Sequence, residues 1–333
     1  MRLPEVWKPL ALRRFGPACG LHHEKDYPMR ICSLVPGATE VVAALGQADY
    51  LVGISHECDF PPSVRHAAVL IEPLVGSLTS SATIDREVKT LVSSGQRLYR
   101  LNEDAFAEAN PDVILAQDLC HVCAVTPDQL SRAVSALPSP PQFLTLNPTA
   151  LEDVISDVER IGTVIGRPLE GRSLAASLRA RLTAVREHPV TVRPRVLCLE
   201  WLSPPYVGGH WVPEMVDLAG GQDVLGKIHQ PSREVTWEQI EAAKPDIVLL
   251  MPCGFSVERA WSELVSLRRF SQEWSRAVAS WPQVFIVDAA SFFSRPGPRL
   301  IDGVELLAAV FSGNGFSRFD DTVVRAVSRS RPW

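Results

Sequence analysis

The residues best equipped for chemistry are a set of thiols, imidazoles and carboxylates that fall just after apolar runs. His56-Glu57-Cys58-Asp59 follows one such run, Gln117-Asp118-Leu119-Cys120-His121-Val122-Cys123 another, and Pro252-Cys253-Gly254-Phe255 a third. His56, Cys58, Cys120, Cys123 and Cys253 would offer imidazole and thiolate ligands to zinc or iron. Glu57 or Asp118 would then serve as base to a metal-activated water. Cys120-x-x-Cys123 is a single CxxC, whereas a structural zinc site ordinarily uses a second pair. The same pair is open to a redox role through a lowered thiol pKa, or to simple burial as small hydrophobes. Cys19, Cys32 and Cys198 read as structural.

A second set has the chemistry of a binding wall. Trp201, Tyr206, Trp211, Phe255, Phe292 and Phe293 can cover the faces of a large planar ligand, because aromatic rings bury much area while their polar tips stay wet. Some of the six are equally expected in lobe cores. His56 and His210 each follow an apolar run, one in each half of the chain, and a neutral imidazole there can approach a metal face or simply hydrogen-bond in the wall. Pro36, Ala38 and Thr39 open a helix whose free amides can face a ligand. Gln117, Glu200 and the acids Glu57, Asp59 and Asp118 can take amide hydrogen bonds. Arg295, in a rigid Ser-Arg-Pro-Gly-Pro stretch, can hold a carboxylate or amide fringe. Arg299, one helical turn on, has the same capacity or pairs locally with Asp302 or Glu305.

The elements that must position these residues are readable from patterning. Six short, continuously apolar and β-branched segments, at 30–35, 50–55, 112–116, 195–200, 246–251 and 284–288, are expected as strands buried on both faces of parallel sheets. Helical patterns at 39–45, 213–218, 237–243 and 299–310 alternate with them, which predicts an α/β fold. AEANPDVILAQ at 107–117 echoes EAAKPDIVLLM at 241–251, one copy in each half, so two lobes are expected. Helices at 151–166 and 169–188 lie between them, and a helix of ~20 residues spans about 30 Å. Arg179, Arg181 and Arg186 on the second are expected to form a solvated face. The predicted organisation is a loose extension at 1–28, an α/β lobe at 29–150, linker helices at 151–190, a second α/β lobe at 191–315 and a tail at 316–333. Ligands of open α/β sheets bind outside the carboxyl ends of the strands, and that is where the unusual residues recur.

Composition narrows the function classes. The 333 residues carry 33 Lys and Arg against 38 Asp and Glu, a net charge of −5, which offers no basic excess for a phosphate backbone and argues against nucleic acid. No apolar run approaches the ~20 residues of a membrane span. Residues 1–28 do not have the layout of a secretory signal, since Arg13 and Arg14 follow only a short apolar patch and Pro4, Pro9 and Pro17 interrupt it. With an odd seven cysteines, a disulfide framework is not indicated. A cytoplasmic location with reduced thiols is therefore expected. Motifs of serine hydrolases, P-loop enzymes, dinucleotide binders and zincins are missing.

RICSLVPGATEVVAALG near the start, GHWVPEMVDLAGG with PSREVTWEQIEAAKPDIVLLM, and FFSRPGPRLIDGVELLA near the end make the chain similar to the cobalamin-binding branch of the class III periplasmic binding proteins. These are the vitamin B12- and metal-chelate-binding components of ABC importers. HECDFPP, QDLCHVCAV, LEW and MPCGF resemble a subgroup without a secretory leader. The resemblance implies two Rossmann-like lobes with mostly parallel central sheets, joined by a long backbone helix, with cobalamin, another corrinoid or a related metal chelate held in the cleft and a stiff hinge. The expected activity is non-catalytic binding by a monomer, with a corrinoid-using enzyme or an ABC transporter as recipient. The alternatives are a zinc- or iron-dependent enzyme built on the Cys/His set, and a ferric-chelate receptor of an importer, which would be periplasmic.

Overall fold

A computed structural model of the chain describes residues 29–76, 79–117, 127–188, 192–313 and 319–328. The first lobe begins with β1 (Ile31–Ser33), α1 (Pro36–Ala44) and β2 (Leu51–Ser55). It continues through β3 (Ala68–Pro73), α2 (Ser81–Ser93), β4 (Tyr99–Leu101), α3 (Glu103–Ala109) and β5 (Val113–Gln117). α4 (Pro127–Ser135) and β6 (Gln142–Leu146) complete it. The sheet order is β4-β3-β2-β1-β5-β6, and every pairing is parallel except β3 with β4.

Two helices follow, α5 (Leu151–Val164) and α6 (Pro168–Glu187). The second lobe then runs β7 (Arg195–Leu202), β8 (Pro205–Val207), α7 (Val212–Leu218), β9 (Gln222–Asp223), β10 (Arg233–Glu234), α8 (Trp237–Ala243) and β11 (Ile247–Leu250). It closes with α9 (Val257–Phe270), α10 (Gln272–Ser280), β12 (Gln283–Val287), α11 (Ala289–Phe292), α12 (Arg299–Phe311) and β13 (Val324–Ala326). Its order is β10-β8-β7-β11-β12-β13, with β9 beside β7. The fold is the expected α/β class. β13 pairs antiparallel with β12, so a strand of this sheet comes from the stretch 316–333 read as a tail.

The internal echo has a physical basis. α3 ends on Asn110 and α8 on Lys244, both in the left-handed region at φ 35° and 44°, where a helix C-terminus commonly turns. In the first copy Asp112 accepts the Arg30 amide at 2.8 Å, while Arg30 donates to the Ala109 carbonyl at 2.9 Å. In the second, Asp246 accepts the Arg195 amide at 2.8 Å and Arg195 donates to the Ala243 carbonyl at 2.6 Å. Each arginine opens a central strand and covers the open carbonyls of the preceding helix, a favourable place for a cation.

The linker is stiff for reasons visible in its side chains. α5 and α6 pack so closely that a Cβ on Gly162 would stand 2.9 Å from the Gly171 Cα. The expected solvated arginine face holds for the exposed Arg186 and is corrected for Arg179 and Arg181. Arg179 binds Glu152 and Glu159 on α5, and Arg181 reaches Glu305 at 2.8 Å and also pairs with Asp302, both on α12 of the second lobe. Asp302 and Glu305 are thereby taken by Arg181. One apolar core also continues without a break from α1 through α5 and α6 into α7 and α12.

Candidate ligand crevice

Loops from the two lobes meet at the carboxyl ends of the strands. After β1, Pro36-Gly37 turns into α1. A Cβ on Gly37 would lie 2.1 Å from the Pro296 carbonyl oxygen, so only glycine permits this approach of the two backbones. Asp59, after β2, accepts Arg295 Nη1 at 2.5 Å. Glu40 on α1 takes Arg299 in a two-point grip, Nε to Oε2 at 2.9 Å and Nη2 to Oε1 at 2.6 Å. The Glu40 side chain is 5% exposed and that of Arg299 13%. Burial raises the Glu40 pKa even though Arg299 pulls it down. At Asp59 burial also acts upward, but the hydrogen bond and charge of Arg295 outweigh it and hold the carboxyl below its usual range. Glu40 was not among the predicted site residues, although a lone carboxylate inside the apolar run TEVVAAL was its visible signal.

Beside this seam, polar side chains of both lobes come near one another around Cys253. Cys253 keeps solvent access while protein crowds it closely enough to push its thiol up to about 12, with Glu200, Glu57, Ser294 and Arg295 as its polar neighbours. Glu200 accepts the Gly209 amide at 3.2 Å, and burial raises its pKa. His56 sits 3.4 Å from the Ser55 hydroxyl through Nδ1 and 3.9 Å from Glu57 through Nε2. His210 is in the left-handed region at φ 51°, held by a 2.6 Å bond from its amide to the Gln230 carbonyl. Burial lowers its pKa, which favours the neutral imidazole. A second residue missed from sequence is Arg259 on α9, whose guanidinium lies 3.5 Å over the Phe255 ring.

The aromatic residues divide into two groups. Trp211, Phe255 and Phe293 are buried in lobe cores, at 5%, 2% and 2% exposure, and the Trp211 indole N–H donates to the Phe293 carbonyl at 2.8 Å. Trp201, Tyr206 and Phe292 are only partly buried. Trp201 meets Phe255 edge to face at 5.5 Å. Pro36 and Gln117 are half-buried at the strand ends. Ala38 and Thr39 point into the first-lobe core, and the Thr39 hydroxyl meets Ser33 at 2.8 Å and the Cys58 thiol at 3.0 Å. Cys58 is itself buried, its thiol pushed up to about 11 by desolvation, which suits a hydrogen-bonded thiol more than a thiolate ligand. Among the described residues no group of three or more His, Cys, Asp or Glu gathers as a metal site. Asp118, Cys120 and Cys123 lie outside the described residues. No described helix is long and apolar enough to cross a membrane.

The first lobe also reaches across through α2. Glu263 on α9 accepts both the amide, at 2.9 Å, and the hydroxyl of Ser81. The Trp201 indole donates to the Ser81 carbonyl at 3.2 Å. Further along, Lys89 meets Glu234 at 3.3 Å and lies 5.8 Å over the Tyr206 ring. Two surface concavities, about 490 Å³ along α2 and about 400 Å³ between β8, α8 and α10, are lined by neither Cys253 nor Glu200.

Comparison with known proteins places this geometry. The chain is similar to the vitamin B12-binding protein of Vibrio cholerae, 24% identical over 290 residues that cover 84% of this chain and 88% of that one. Its fold matches the solved periplasmic vitamin B12-binding protein BtuF of Vibrio cholerae, with TM-score 0.58 and 24% identity over 85% of this chain and 96% of the other. It also matches the periplasmic heme-binding protein RhuT of Roseiflexus sp. RS-1, with TM-score 0.64 and 20% identity over 86% and 99%. These comparisons correct the expected cytoplasmic location: the matching family and both solved neighbours are periplasmic, which points to the periplasm. That expectation had leaned on residues 1–28, which the structure does not describe. The family is one of binding proteins and not of enzymes, so the metal-dependent enzyme gives way to the binding reading. The periplasmic binding protein profile matches residues 31–272, and the chain belongs to that family.

Proposed function

We propose that the chain binds cobalamin, another corrinoid or a related metal chelate in the crevice between its lobes and hands it to an ABC importer. The observation that carries this reading is likeness to a vitamin B12-binding protein along most of both chains, and polar loop residues of both lobes that meet around Cys253 support it. A corrin presents broad apolar faces with an amide fringe. Trp201, Tyr206 and Phe292 keep part of their rings free for the faces, a use that fits the mixed apolar and wet character of such side chains. Glu57 and Glu200 accept amide hydrogens, and Arg295 and Gln117 address carbonyl groups. His56 and His210 are the imidazoles available to a cobalt or iron face, and burial favours the neutral form at His210. Because the linker and the Glu40–Arg299 seam hold the lobes, little ordering accompanies binding, which favours affinity.

The test is a visible-spectrum titration of the full chain with hydroxocobalamin and cobinamide, alongside haem and a ferric siderophore. Saturable one-to-one binding of either corrinoid is the expected result. Binding of haem alone moves the assignment to haem, and binding of none overturns it. In the same assay His56→Ala with His210→Ala removes any shift of the cobalt bands if imidazole ligation occurs, and leaves the bands unchanged if both histidines only line the wall.

A further inference from the structure

We propose that Glu263 is a two-position switch that latches α2 across the crevice in one state and releases it in the other. The inference rests on the preceding reading only for what the crevice admits. α2 belongs in sequence to the first lobe, between β3 and β4, yet its contacts are with the second: Ser81 with Glu263 and Trp201, Ile84 with the second-lobe core, Lys89 with Glu234. Ser81 is its only buried residue. The helix is therefore fastened chiefly at its first turn, where Glu263 meets two Ser81 donors and the positive end of the helix dipole.

The second position of the switch is on α9 itself. Arg259 precedes Glu263 by four residues, the spacing at which helix side chains are neighbours. The charges of Glu263 and, from the first lobe, Glu57 act on Arg259, Glu263 being the one on the same helix, yet no ion pair joins either to it among the described residues, and Arg259 Nη2 is buried with no hydrogen-bond partner. Leaving a buried guanidinium nitrogen unpaired is unfavourable. One carboxylate thus has two sets of donors within reach. In the state described it serves Ser81 and leaves Arg259 unsatisfied; turning to Arg259 would satisfy the guanidinium and free α2. Release would uncover Trp201, which Ser81 now caps, and with it the Phe255 ring that Trp201 and Arg259 flank.

Two substitutions act on the switch in opposite directions. Ser81→Ala removes one latch donor and should raise hydrogen–deuterium exchange of the α2 amides by roughly tenfold, since local opening is set by the contacts that close it. Arg259→Met, or Arg259→Gln should the first fail to fold, removes the competing partner and should slow the same amides several-fold. Amides of β11 and α12 serve as the internal reference. A merely structural arginine would leave α2 unchanged or loosen it, and that result for Arg259 overturns the switch. Hydroxocobalamin should associate faster with Ser81→Ala than with the natural chain; an equal rate, with faster α2 exchange, overturns the gating role. If no variant binds the corrinoid while the two exchange shifts appear, the functional reading fails and the switch stands.

Discussion

Two seams join the lobes, and they are built from different physics. The first centres on the enclosed Glu40–Arg299 pair, 5% and 13% exposed, and the Gly37–Pro296 approach, with the half-exposed Asp59 pairing Arg295 at its edge. The second is α2, held by the buried Ser81 on Glu263 at its first turn and, further along, by a Lys89–Glu234 pair about half exposed on both sides, at 53% and 54%. Breaking an enclosed ion pair strands a charge away from water, whereas an exposed pair is worth ~0–1 kcal/mol. On the proposed switch, the first seam holds the lobes while the second lets go once Glu263 leaves Ser81. A binding protein with a stiff linker still needs a way in, and a releasable seam supplies one that requires no domain rotation.

Breaking the first seam should have the largest effect. Glu40→Ala leaves Arg299 enclosed without its carboxylate and should lower stability by roughly 3–5 kcal/mol, measured by denaturant unfolding. A loss near zero would mean that the seam opens freely and that the contrast with α2 is false. Gly37→Val places carbon where the Pro296 carbonyl stands; forcing the backbones apart should cost about 1–3 kcal/mol, read in the same assay.

The pH response sharpens the comparison inside the first seam, because its two acids shift in opposite directions. Glu40 has a raised pKa, so the folded chain holds its proton more tightly than the unfolded chain does. Its contribution therefore becomes less favourable as pH rises from the ordinary glutamate value through the folded one. Asp59 has a lowered pKa; its contribution is intact above the ordinary aspartate value and fades as pH falls through the folded one. The stability of the natural chain relative to Glu40→Gln should accordingly decline with rising pH through the mildly acidic range. The smallest effect belongs to the second seam: Lys89→Ala should change global stability by less than about 1 kcal/mol while speeding exchange of the α2 amides. A large global loss would erase the difference between the seams.

How much of this was readable beforehand follows from burial. β1, β2, β5, β7, β11 and β12 are largely enclosed on both faces and so appear as continuous apolar runs, whereas β3 and β6 mix exposed with buried positions and give no such run. The two-lobe plan was readable because AEANPD and EAAKPD perform the same local task, ending a helix and pinning the next strand. α2 escaped notice because its stripe of Ile84, Val88 and Leu91 is thin and its partners lie in the other lobe. Local spacing offered Arg299 Asp302 and Glu305, yet Arg181 from α6 takes both and Arg299 crosses to Glu40. Only the packing of the linker decides that exchange. Which of the six aromatics belong to a wall and which to a core was not legible, because residue type does not distinguish a ring in a core, such as Phe293, from one at its edge, such as Trp201.

The account centres on a ligand between the lobes, and the most direct measurement is a crystal structure of the full chain grown with hydroxocobalamin, with cobalt located by its anomalous scattering. The account predicts one cobalt peak between the loop at Glu57 and the loops at Glu200 and Cys253. A peak on the outer face of either lobe, or none in crystals of protein mixed with excess corrinoid, would contradict it.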